Sequence, residues 1–395
     1  MLAIQNGSIE TIKMLLYITQ LKEINIDYSK KDVHGRNTIM YAVSSNSYPI
    51  FELFTGNGKI DVQGLSIPSE ILKEYEQYGD VKQIDNIQLD SQGTDIKKSL
   101  CEKDYEGNNS LMISTYCENP RIVTGILNIV SETEGEVCNI EDILQLTDKK
   151  QRNIFHISTY QKSNIIFDTI YNYDKLDKVL RTRLLGNQDI EGVTPLHIAI
   201  YKENIGVINK LRGNQELLNK KDKYGNTSIN LATAMNKTYL VESLLEFDEE
   251  AAFNLPDNNG NRPIDYAVRN GNIEIVNLFT QKDKLILVDD NDQEKEKRFM
   301  ERAFGYYFDS IYDDYNEYND KLEIVVLLAV FLSKKDMRPC ITKTKYRLIK
   351  EHYEILMSFP REFGICDRLK GCRGDQCYRE LLLEDIKQFG NDIKN

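Results

Sequence analysis

Tryptophan is absent from this chain of 395 residues, histidine occurs only four times, and basic residues are outnumbered by acidic ones. Each shortage removes a class of function. The sequence has no H-E-x-x-H pair, no zinc-deaminase signature and no nucleophile elbow, so metal-dependent and triad catalysis have little to work with. A net charge of −12 argues against direct binding of nucleic acid or of an anionic membrane surface. The longest apolar run, residues 324–332, is too short for a bilayer, which takes roughly 20 residues, so no membrane insertion is expected. The seven cysteines are an odd, scattered set without a secretory-type framework, and residues 1–25 lack the unbroken apolar core of a signal peptide. Both features favour an intracellular, cytoplasmic and reducing location. A glycine-rich phosphate cradle is missing as well: Gly371-Cys372-Arg373-Gly374 is too short and lacks a strand-to-helix context.

What the chain does have is apolar content of 41 %, enough for a large buried core, and a recurring pattern. It is clearest in residues 189–211, DIEGVTPLHIAIYKENIGVINKL. Asp189 and Gly192 frame a tight turn. Thr194 is placed to cap a helix that opens with Pro195, a residue tolerated in the first turn. Leu196, Ile198, Ala199 and Ile200 line one short apolar helix, and Val207, Ile208 and Leu211 line a second after a break at 202–204. Two further copies follow. One starts at Asp222-Lys223-Tyr224-Gly225 and the other at Asp257-Asn258-Asn259-Gly260, at spacings of 33 and 35 residues.

The unit resembles an ankyrin repeat, D-x-x-G-x-T-P-L-H-x-A-A followed by a V-x-x-L-L helix, and residues 194–197 supply the complete T-P-L-H tetrapeptide. Such a unit buries its apolar side only by stacking on neighbours. Upstream copies begin at Asp32, Asp104 and Asp148, and residues 1–16 fit the second half of another. That abrupt start reads either as a stripped terminal repeat or as a repeat whose beginning lies upstream. The total is about seven repeats over residues 1–280, several divergent. The spacings of 72, 44 and 41 residues that follow Asp32, Asp104 and Asp148 leave extra residues near 131–143 and 172–186 and an insertion with a helix near 57–100. Gln151 stands at a turn position normally held by glycine, which implies strain or an altered turn. Residues 281–300 read as a charged connector. Residues 301–395, with helical spacing but no further repeat, read as a C-terminal helical module that caps the stack or stands as a small domain. The expected fold is all-α: an ankyrin-repeat α-solenoid with that module.

The bland reading holds for most candidate chemistry. His156 and His197 sit at the T-P-L-H histidine position, where the imidazole ties neighbouring turns together, and His34 and His352 read as turn and surface residues. Cys366, Cys372 and Cys377, with Cys340 or His352, are the one set that could hold zinc, but the spacing lacks a C-x2-C knuckle, so no metal and no cofactor are assigned. No catalytic residue is assigned. The resemblance implies a non-enzymatic interaction module or scaffold, alone or as a subunit of a larger complex, that holds a protein partner through turn fingertips and a concave face. Carried onto the best-matched copies, the implied contacts are Ile190, Glu191, Val193, Tyr201 and Lys202, then Lys223, Tyr224 and Asn226, then Asn258, Asn259, Asn261, Arg269 and Asn270. Tyr201 and Tyr224 are the favoured anchors, since tyrosine offers large area at low entropic cost. The alternative is a microbial ankyrin effector whose C-terminal module carries Cys-based catalysis or recruits a ubiquitin ligase.

Overall fold

The computed structural model describes residue 4 and residues 8–21, 30–55, 59–61, 86–88, 93–132, 138–247 and 252–281. The expected C-terminal module, nearly all of the connector, the helix expected around Tyr75 and the cysteines at 340, 366, 372 and 377 with His352 lie outside those residues. The chain divides into two compact units, Met1–Ser228 and Ile229–Asn395.

The first unit opens with α1 (Ile9–Leu21), which buries Ile12, Leu16 and Tyr17. Helices α2 (Thr38–Ser44) and α3 (Tyr48–Thr55) follow, then a two-stranded antiparallel ribbon of β1 (Lys59–Asp61) and β2 (Asn86–Gln88), with Ile60 opposite Ile87. The repeat closes with α4 (Gly93–Cys101). The next repeat is α5 (Ser110–Tyr116), α6 (Pro120–Ser131) and α7 (Ile140–Gln145). A third comprises α8 (Ile154–Tyr160), α9 (Ile165–Tyr171) and α10 (Lys178–Gly186). The fourth comprises α11 (Pro195–Tyr201), α12 (Ile205–Leu211) and α13 (Gln215–Asn219).

Helices of seven residues do not hold in isolation, because nucleation is costly and few hydrogen bonds repay it. Packing holds them. First helices contact one another in the order α2, α5, α8, α11, and second helices α3, α6 and α9 do the same. Between the rows lie Met40, Leu111, Met112, Ile126, Phe155, Phe167, Leu196 and Val207, all essentially without exposure.

The expected helical solenoid repeat is what the described residues form, with two additions that the spacing did not specify. One is the ribbon, whose three-residue strands are too short to show an alternating pattern. The other is a third row: α4, α7 and α10 occupy the long connectors, α13 the shorter one that follows α12, and the four touch in succession. Leu100, Ile143, Leu144, Leu184, Leu217 and Leu218 bury that row against the second helices and the turns. Cys101, the last residue of α4, is disulfide-bonded to Cys138 just before α7, a link that the scattered cysteine positions did not suggest.

In the second unit, α14 (Ser228–Ala234, beginning one residue before the division) and α15 (Thr238–Leu245) precede a 3-10 turn (Ala252–Asn254). Helices α16 (Pro263–Arg269) and α17 (Ile273–Thr280) complete it. Helix α17 packs on α15, and the ring of Phe253 lies 6.1 Å from that of Phe279.

Candidate binding surface

Every complete repeat begins with the same turn. The carboxylate of Asp32, Asp104, Asp148, Asp189, Asp222 or Asp257 accepts two backbone N–H groups through Oδ1, from the residues two and four positions on, at 2.7–2.9 Å. The fourth residue is left-handed: Gly35, Gly107, Gly192, Gly225 and Gly260 have φ between 73° and 86°. At Gly192 a Cβ would meet the Lys223 amide nitrogen at 2.8 Å, so the close approach of the next turn also requires glycine. Gln151 keeps the turn unaltered by adopting φ 59°, with its N–H bonded to the Asp148 carbonyl at 2.9 Å. The strain expected there is borne by its backbone conformation.

Successive tips in the first unit are stitched together. Tyr105 N–H donates to His34 O, Lys149 to Glu106, Ile190 to Lys150 and Lys223 to Glu191, at 2.7–3.0 Å. The buried imidazoles add a second line of stitches: His156 Nε2 lies 3.0 Å from Val193 O and His197 Nε2 3.1 Å from Asn226 O, while each Nδ1 faces its own helix cap. Burial lowers both imidazole pKa values, that of His156 to about 4, so both rings are neutral near pH 7. In the second unit Asn230 Nδ2 takes this place, donating to Leu255 O and Asn261 O.

The backbone of the tips is spent on these bonds, while four of the crests leave a large apolar or aromatic side chain in water. Val33 is 84 % exposed, Tyr105 61 %, Ile190 53 % and Tyr224 61 %. The last residue of three successive first helices repeats the theme: Tyr116, Tyr160 and Tyr201 are 43 %, 42 % and 64 % exposed. Cations lie among these rings. Arg152 Nη2 donates to the Tyr116 hydroxyl at 3.1 Å, and Lys202 Nζ lies 5.5 Å from the centre of the Tyr160 ring and 5.8 Å from that of Tyr201. Burial raises the pKa of Tyr116 and of Tyr160, which keeps both hydroxyls protonated at neutral pH.

Residues 196–290 match the family model described as ankyrin repeats, three copies. That segment of the chain carries ankyrin repeats. Among curated relatives, the human transient receptor potential cation channel subfamily A member 1 is 25 % identical over 298 residues, which is 73 % of this chain and 24 % of the channel protein. The NAD-dependent deacetylase sir2B of Dictyostelium discoideum is 27 % identical over 121 residues, 29 % of this chain and 15 % of that protein. The ankyrin-repeat chain therefore spans less than a quarter of the length of either. Similar solved structures include the ankyrin repeat domain of Bcl-3, a member of the IkappaB family, at 15 % identity and TM-score 0.40, covering 62 % of this chain and 85 % of that one. EF0377, an ankyrin repeat protein, is 15 % identical with TM-score 0.41 and coverage of 62 % and 96 %.

The contact residues implied by the ankyrin resemblance divide into two groups. In the first unit, Ile190, Tyr201, Lys202, Lys223 and Tyr224 are exposed, and Glu191 is half-exposed and paired with Lys223, whose ammonium also lies 4.9 Å from the centre of the Tyr224 ring. Val193 is partly covered, and Asn226 is turned inward, with Nδ2 on Asp222 Oδ2 at 3.2 Å. In the second unit, Asn258, Asn259 and Arg269 are exposed, Asn261 is held by Asp257, and Asn270 donates to Thr233 O at 3.1 Å. Sequence reasoning set aside Val33, Tyr105, Tyr116 and Tyr160 because their repeats are divergent. Their position in the repeat was the available signal: each occupies the place held by Ile190 or Tyr201. Among the described residues no group of three His, Cys, Asp or Glu side chains could hold a metal ion, and no helix is long and apolar enough to cross a membrane.

Proposed function

We propose that this ankyrin-repeat protein is a non-enzymatic scaffold that holds a protein partner on the face formed by its turn crests and first-helix ends. One observation carries the reading. Large aromatic side chains stand in water at the same position of three successive repeats, Tyr116, Tyr160 and Tyr201, and further apolar or aromatic ones stand at the turn crests, Val33, Tyr105, Ile190 and Tyr224. Scattered apolar exposure needs no explanation, but repetition in register builds a contiguous patch, which marks an interaction surface. Tyrosine is also a preferred interface anchor. The reading with a catalytic or ligase-recruiting C-terminal module concerns residues outside those described, and no observation favours it.

Photo-crosslinking from Lys202, with partners identified by mass spectrometry, tests the surface. Combining Tyr201→Ala with Tyr224→Ala is expected to abolish the crosslinked product while the thermal unfolding temperature stays within about 2 °C of the parent, since neither side chain is buried. Undiminished crosslinking by the double variant rejects this face. A cytoplasmic site of action belongs to the same proposal and makes a separate forecast. Disulfides rarely persist in a reducing compartment, so alkylation mapping of cells should find Cys101 and Cys138 as thiols. Recovery of the oxidised pair would place the protein elsewhere.

A further inference from the structure

Each tip of the first unit carries one apolar or aromatic crest residue except in one repeat. At the tip that begins with Asp148, the two crest residues are Lys149 and Lys150, both exposed, where other tips carry Val33, Tyr105, Ile190 or Tyr224. Lys149 is paired with Glu106 at 3.4 Å. Among the described residues, the ammonium groups of Lys150, Lys162 and Lys202 have no carboxylate partner. Lys162 lies in the turn after α8, and Lys202 faces Tyr160 at the end of that helix. Arg152, bound to Asp148, turns its other side toward Tyr116. Neighbouring acids include Glu106 and Glu191, paired with Lys149 and Lys223, and Glu118 and Glu203 in the inter-helix turns on either side, and the repeat itself carries Asp168, paired with Lys210, and exposed Asp174 and Asp177.

A surplus of cations in one repeat of a chain carrying a net −12 is a local exception to the global field. Steering and register, more than raw affinity, follow from such complementarity. Resting on the scaffold reading above, we infer that the partner presents an acidic segment flanked by apolar residues. Its carboxylates lie over Lys150, Lys162 and Lys202, and its apolar flanks lie on Tyr105 and Tyr116 to one side and Ile190, Tyr201 and Tyr224 to the other. The order apolar, basic, apolar along the repeats fixes the complementary order in the ligand. The hydroxyls of Tyr160 and Tyr201 have no hydrogen-bond partner among the described residues and are available to donate to the same carboxylates. Protein is favoured over single-stranded nucleic acid because a small cluster of cations in a strongly acidic chain neutralises few phosphates.

Fluorescence anisotropy of the full chain with three labelled probes decides the matter. The first is a synthetic peptide with an Asp/Glu centre between Leu/Ile-containing arms. A second has the same arms with a Lys centre, and the third is oligo-dT of similar length. The acidic-centre peptide is expected to bind at least roughly tenfold more tightly than the lysine peptide. Lys150→Glu with Lys162→Glu should remove that preference and its salt dependence, and Tyr160→Ala should weaken the acidic peptide by roughly tenfold. All three positions are exposed, and unfolding temperatures of the variants report whether the fold is kept. Equal binding of the two peptides, preference for the lysine peptide, or tighter binding of oligo-dT overturns the inference. The scaffold reading fails separately, through crosslinking that persists when Tyr201 and Tyr224 are removed.

Discussion

At the scale of single residues, the turn at Asp148 shows how a departure from the repeat pattern is absorbed. Gln151 holds φ 59° where its counterparts are glycine, and a left-handed conformation costs an L-residue about 1 kcal/mol or more. Gln151→Gly is therefore expected to stabilise the protein by about 1 kcal/mol, read as a rightward shift of the urea midpoint at constant slope. An unchanged or lowered midpoint would mean that the exposed side chain supplies compensating contacts. The same accommodation recurs between first and second helices, where Asn46, Glu118, Glu203 and Asn236 are left-handed at φ 53–58° and Gly271 fills the equivalent place in the last repeat. Local hydrogen bonds over-determine these turns, so the backbone tolerates residues that propensity alone would reject.

At the scale of elements, the third row of helices explains a pattern that was visible in the sequence but not interpretable there. Where the connector is long, after Asp32, Asp104 and Asp148, the capping residue of the first helix is asparagine: Asn37, Asn109 and Asn153. Where it is short, after Asp189 and Asp222, Thr194 and Thr227 stand instead. Threonine caps through one short hydroxyl, whereas asparagine caps through Oδ1 and reaches further with a separate donor, Nδ2. Asn37 Nδ2 reaches Ser99 O at 2.9 Å, Asn109 reaches Ile143 O at 3.1 Å and Asn153 reaches Leu184 O at 2.6 Å, each acceptor lying in the following third-row helix. Asn109→Thr keeps the cap and leaves the Ile143 carbonyl buried without this partner, so it should cost about 1–2 kcal/mol by chemical denaturation. A neutral outcome would show that the third row does not depend on that bond. The turn–helix–helix unit was legible because hydrophobic spacing and turn chemistry repeat. The third row was not, because α7 and α13 span six and five residues, too few for a helical period to stand out.

At the scale of the whole molecule, buried neutral imidazoles make stability a function of pH. His156 has its pKa lowered to about 4 by burial, against 6.5 for the free side chain, and His197 is lowered for the same reason. Between those limits the unfolded chain takes up a proton that the folded chain refuses, so stability is intact above pH 6.5 and is lost as pH falls toward 4. His156 alone accounts for about 3 kcal/mol over that window. Asp257 acts lower on the scale: burial raises its pKa, but hydrogen bonds from Tyr266, Asn261 and Asn259 together outweigh that and lower it, so its contribution disappears only in stronger acid. Replacing His156 by Asn, the residue type that serves at position 230, should flatten the profile between pH 6.5 and 4, and an unchanged slope would assign the acid sensitivity to other groups.

The contiguous row α4, α7, α10, α13 also limits how such a chain can change over generations. A two-helix repeat can be gained or dropped singly, since each copy presents the same sides to its neighbours. Here a connector helix is wedged between those before and after it. Shortening one connector would uncover apolar surface on both adjacent copies, so this part of the gene should be inherited, duplicated or lost as a block rather than one repeat at a time.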